Sequence, residues 1–220
     1  MRFSLCLSVA IIAFLLIAGA SIAQPLPDRR DVPPAQCPPE GTAKSGPGQE
    51  LNRVKNRITA PLASQIDPSV TLNAILTRGY DEDRFDEDKG AVITGWVVDV
   101  QQGGHPETAN CGSMSKLYTD THITIGLSPD AAETATMVVE VTPRWRELMA
   151  AQGQDWRTET LQQQLIGRQV QIAGWLMFDD DHFCEATNTR SARRCRGRKK
   201  PSWRRTVWEI HPITGIQVVP

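Results

Sequence analysis

From residue 91 onward the sequence is built of short runs rich in β-branched and aromatic residues, and the order of these runs constrains the fold most. Residues 91–100 (Ala-Val-Ile-Thr-Gly-Trp-Val-Val-Asp-Val) stop at Gly103-Gly104, residues 122–127 alternate, and residues 137–142 end at Pro143. Each has the composition of a half-buried strand bounded by turn residues. Residues 144–151 and 159–166 then carry helical spacing, the second with Thr158 as N-cap, Leu161 and Leu165 on one face and Gly167 as its stop. Residues 169–178 form a fourth strand; residues 206–212 and 215–219 form a fifth, broken at Pro212. Three strands, a helical segment and two strands is the order of a mainly β, α+β architecture: an OB-fold-like five-stranded Greek-key barrel over 91–220. Gly95 and Gly174, each followed by Trp, fall inside strands, where a small barrel needs sharp bends.

The chain ahead of the barrel divides into three parts. Met1-Arg2-Phe3, an apolar run from Leu5 to Ala18 and the small residues Ser21 and Ala23 describe a secretory signal over 1–23, cleaved before Gln24. The run is too short for a comfortable membrane span, so no stable span is expected after cleavage. Residues 24–48, with ten Pro and Gly, read as a flexible linker anchored by Cys37. Residues 49–90 read as a helical extension, with helices at 49–57 and 71–76, followed by an acidic loop. That loop, residues 81–88, has six carboxylates in eight residues, but it lacks the Gly and distal Glu of an EF-hand. It reads as solvated. A secreted or periplasmic location follows.

Export makes the cysteines informative. Cys6 leaves with the signal, and Cys37, Cys111, Cys184 and Cys195 remain. An even count in an exported chain favours disulfides, and the absence of Cys-x-x-Cys argues against zinc. Cys184 and Cys195 enclose a short loop and are paired on that ground; Cys37–Cys111 follows by elimination. The mature chain has 23 basic and 25 acidic residues, so net charge gives no reason to invoke nucleic acid or membrane.

Candidate chemistry lies in four segments: 120–122, 140–144, 178–182 and 208–212. They place three of the four histidines at strand ends beside carboxylates. His122, His182, His211, Asp120, Asp179 and Glu209 form a candidate ligand set for one divalent transition metal, because imidazole and carboxylate both bind such ions. A structural polar network closing a barrel end is the competing reading. His105, in a Gly-Gly-His-Pro turn, reads as solvated. Residues 190–205 contain nine Lys and Arg, in the loop that forms one wall of the ligand cleft in OB-folds. Arg193, Arg194, Arg196, Arg198, Lys199 and Lys200, with Trp175 and Trp208 as stacking surfaces, are the candidate ligand-binding residues. The alternative is a solvated loop that offsets the acidic run, with the tryptophans in the core.

The segments Leu51-Asn52-Arg53-Val54-Lys55-Asn56-Arg57, Asn110-Cys111, Asp120-Thr121-His122-Ile123, Glu140-Val141-Thr142-Pro143-Arg144, Gly174-Trp175-Leu176-Met177-Phe178-Asp179 with His182, and Trp208-Glu209-Ile210-His211-Pro212-Ile213-Thr214 together resemble a family of uncharacterised exported bacterial proteins. The resemblance spans about residues 49–219 and implies an OB-like barrel, with no activity to carry over. The basic insert at 190–205 is longer and more cationic than that family's pattern. The expected function is a non-enzymatic binding module without cofactor, whose partner is a polyanion (nucleic acid or acidic polysaccharide) or an envelope protein. A metal-assisted hydrolase, acting on phosphodiesters, and a purely structural envelope protein are the alternatives.

Overall fold

The computed structural model describes residues 31–103 and 106–220; the signal segment, Gln24 and His105 lie outside them. Five strands close into a barrel in the order β1-β2-β3-β5-β4, the OB-like arrangement expected from the run order. They are β1 (Gly90–Gln102), β2 (Thr121–Gly126), β3 (Met137–Val141), β4 (Gln169–Phe178) and β5 (Trp208–Val218). All neighbours are antiparallel except β3 and β5, which run parallel where Val139 meets Ile210. Strand alternation sends Ile93, Val97, Ile123, Val139, Val141, Ile172, Leu176 and Ile210 into the core. Between β3 and β4, α3 (Pro143–Ala150) is capped by Thr142 and α4 (Thr158–Leu165) seals the barrel with Leu161 and Leu165.

Three local expectations are corrected. Thr158 is the first residue of α4 rather than its cap; its hydroxyl is buried, 2.6 Å from that of Thr121 and 2.7 Å from Gln102 Oε1. The fifth strand is continuous through Pro212. Two register shifts flank Gly174 on β4, and the second, between Gly174 and Leu176, leaves Pro212 in a bulge where no ladder N–H is required of it. Gly95 and Gly174 are needed for close approach as much as for bending. A Cβ on Gly174 would lie 2.3 Å from the Pro212 carbonyl oxygen, and one on Gly95 would lie 2.3 Å from Leu72 of α2 (Leu72–Leu76).

The Pro/Gly-rich segment read as a linker is part of the folded body from its middle onward. Pro34 and Cys37 are buried, Cys37 is bonded to Cys111, and Ser45 caps α1 (Gly46–Lys55). Asn52 of α1 and its C-cap Asn56 bond the carbonyls of Glu40, Pro39 and Ala109, while Arg144 reaches Asn56 and the carbonyls of Cys37 and Pro38. These bonds satisfy backbone groups that proline-rich chain cannot pair in regular structure. The acidic run is also only partly solvated. Asp81 is fully buried and receives bonds from Arg84, Asn188 and the Val207 amide.

Candidate metal centre

β2, β3 and β5 present a polar stripe on the face turned away from the barrel core. His122 pairs with Glu140 across β2 and β3, and Glu209 and His211 alternate with the core residue Ile210 on β5. Such a face is normally wet. Here α1, which packs against β5, lies over it together with Glu107, which Lys55 of α1 holds at 3.4 Å. Glu140 is 6% exposed, Glu209 2%, His211 0%, and Asp120, one residue before β2, 2%.

At the centre, one ligand atom from each of Asp120, Glu140 and His211 lies within 4.8 Å of the other two. His211 Nδ1 is 3.3 Å from Glu140 Oε2, and His122 Nε2 is 3.3 Å from Glu140 Oε1. Neither contact has hydrogen-bond geometry. Both oxygens of Asp120, Oε2 of Glu140, both nitrogens of His211 and Nε2 of His122 are buried without a hydrogen-bond partner among the described residues. The Asn110 side chain stands next to Asp120 and favours its charged form, and a buried polar atom left without a partner is costly.

The electrostatics point the same way. Burial pushes the Asp120 carboxyl up to about 7, with the Glu107 charge adding to it. Glu140 is held well above the usual carboxylate range by burial and by the charges of Glu209 and Asp120. His211 is pushed down to about 3 by burial and by Lys55, so its ring is neutral, the form that ligates metal. Lys55, nearly buried at the end of α1, is itself raised. The carboxylates of Glu107, Glu140, Asp179 and Glu209 outweigh its desolvation.

Of the expected ligands, the structure brings Asp120 and His211 together, with His122 adjacent through Glu140. Asp179 and His182 stand apart. Asp179 Oδ2 accepts from Arg204 Nη2 at 2.6 Å and lies 2.7 Å from His182 Nδ1. These partners hold the Asp179 carboxyl well below its ordinary value despite burial, and its hydrogen bond raises His182. Glu209 joins the two groups: one oxygen accepts from Arg204 and the other lies 3.5 Å from His211 Nδ1. Glu140 belongs to a segment singled out in the sequence but not to the expected ligand set, and it is the central residue. Lys55, Glu107 and Arg204 were not candidates.

The expected stacking surfaces are corrected. Trp175 and Trp208 are 7% and 2% exposed. The Trp175 indole donates to the Thr59 carbonyl beneath the Arg57 guanidinium, and that of Trp208 donates to the Asp81 carbonyl. Neither ring face is open to a base or sugar. Both expected disulfides are present, Cys37–Cys111 and Cys184–Cys195, and no helix among the described residues is long and apolar enough to cross a membrane. No protein-family model matches the chain, and no curated protein matches it significantly.

Proposed function

We propose that this is an exported bacterial metal-binding protein, in which Asp120, Glu140 and His211 hold one divalent transition-metal ion that ties β2, β3 and β5 together. The observation carrying this reading is the convergence of three buried ligand residues, from β3, β5 and the residue just ahead of β2, with ligand atoms left unpartnered. Two carboxylates and one neutral imidazole suit a borderline divalent ion such as zinc, manganese or ferrous iron. The ion would replace the protons that the crowded carboxylates otherwise retain. His122 is the nearest further nitrogen. Enclosure of all three ligands favours an ion held for the fold over one that meets a substrate. Two disulfides and the signal-like first 23 residues support a location outside the cytoplasm.

The test is metal analysis of mature protein beginning at Gln24, purified without chelator, followed by calorimetric titration of EDTA-stripped protein with zinc and manganese. About one equivalent, bound saturably, is expected. Metal-free protein with no saturable uptake of either ion would leave the cluster as a polar network and end the metal reading.

A further inference from the structure

We propose that the loop clipped by Cys184–Cys195 forms a second, separate site: a pocket for a small molecule bearing a phosphate monoester. The basic run does not spread over the surface as a solvated tail. It folds around a cavity of about 400 Å³ lined by Phe183, Arg190, Arg194, Arg198, Lys199 and Lys200, together with three carboxylates. That volume lies in the range of small-molecule sites and exceeds what a bare oxyanion needs.

The walls are preformed. The disulfide joins the two sides of the loop. Arg190 donates to the carbonyls of Cys184 and Arg198, which ties both ends of the run to one guanidinium. Trp203 bonds Glu185 through its indole at 2.8 Å and its amide at 3.0 Å, and the Arg198 amide returns to the Cys195 carbonyl. Ordering that a ligand would otherwise impose is already present.

Charge identifies the ligand class. Asp180 is taken by Arg194 at 2.6 Å and Glu185 by Lys200 at 3.0 Å. Arg190, Arg198 and Lys199 have no carboxylate partner among the described residues, against the single remaining carboxylate of Asp181. The pocket thus carries an excess of two positive charges, matching a phosphate monoester, whose charge near neutral pH is about −1.5 to −2. Arginine donors fit its oxygens in pairs. Among the described residues Arg194 is the one pocket cation paired with the acidic run, at 3.7 Å from Glu82, so offsetting that run does not account for the others.

Two arginines of the same loop, Arg193 and Arg196, are exposed but do not line the cavity, and they supply the control. Glucose 6-phosphate, inorganic phosphate and inorganic sulfate would be titrated into intact, oxidised protein in EDTA, which silences the metal centre. Saturable binding of both phosphates, with sulfate weaker, is expected. Arg198→Ser and Lys199→Ser should each weaken it about tenfold, the usual weight of a charge-assisted contact, while Arg193→Ser and Arg196→Ser leave it unchanged. Equal losses in all four variants, or binding of heparin without binding of either phosphate, would mean a diffuse cationic surface and overturn the pocket. Absence of any binding at low salt would overturn it too. None of these results bears on metal uptake, so the two sites stand or fall separately.

Discussion

His211 and Glu140 face each other across the parallel seam of the barrel, Nδ1 3.3 Å from Oε2, both buried and neither hydrogen-bonded to the other. A neutral imidazole and a carboxylate this close would ordinarily rotate into a hydrogen bond. Glu140 is instead shared between His211 on one side and His122 on the other, with Asp120 converging on the same point. A cation at that point would satisfy Asp120, Glu140 and His211 together, whereas a proton would satisfy one pair.

Glu140→Gln tests that sharing, because it removes charge and preserves shape. Metal affinity should fall by at least about tenfold, since the amide is a poor ligand. The stripped variant should melt higher than stripped wild type, because a buried, crowded carboxylate has gone. Calorimetry and thermal melting read the two effects. A stripped variant that melts lower would show that Glu140 makes bonds the fold needs, and would count against an ion site.

The raised carboxyls set a pH dependence. Asp120 is pushed up to about 7 and Glu140 is raised well above the usual carboxylate range, so folded, stripped protein binds protons that the unfolded chain releases near pH 4. This contribution is complete below about pH 4 and is lost as pH rises through about 7 and above. Stripped protein should therefore melt lower at pH 8 than at pH 6, and the metal-loaded form should not follow it. Zinc binding should release protons, seen as a buffer-dependent heat. Identical heats in phosphate-free buffers of different ionisation enthalpy would contradict the scheme.

Arg204 is the keystone of the neighbouring ion network. It is 1% exposed and bridges Asp179 and Glu209. Arg204→Ala would leave two carboxylates buried without their partner, at a cost of about 3–5 kcal/mol. Chemical denaturation measures it. A loss below about 1 kcal/mol would place the guanidinium among ordinary surface ion pairs.

The barrel was legible because its signals are local. Period-two runs, their Gly and Pro stops and the helical interval all reside in contiguous sequence, and the closed five-stranded order followed from them. The site was legible only in part. His122 and His211 stood out as rare residues in strands, and Asp120 as a neighbour of one of them. Glu140 sits on a strand whose outward face would be wet in a bare barrel, so its burial depends on cover that includes α1, far away in sequence and expected only as a short helix of an extension. Arg204 was hidden for the opposite reason. It is one of nine similar cations, and nothing local marks it as the buried one. His182 drew notice by composition, yet its partner is Asp179 three residues earlier.

That distant cover makes the last prediction. Cys37–Cys111 closes a loop of 74 residues in sequence and pins the Cys37 segment to the loop that carries Glu107 and Asn110 over the centre. Chain entropy assigns a loop of this length about 4 kcal/mol of stability, lessened by residual structure in the unfolded state. The barrel core contains none of the cover, since its buried apolar cluster includes no residue of 31–55 or of 107–112. Replacing both cysteines by Ser should therefore loosen the cover before it unfolds the barrel. Amide exchange should quicken at α1 and around residues 107–112 while the β4–β5 ladder stays protected. Metal should leave faster into EDTA, because water regains access to Glu140 and Asp120. Uniform acceleration of exchange across cover and barrel would show one cooperative unit, and an unchanged rate of metal loss would show that the centre is closed by the barrel strands alone.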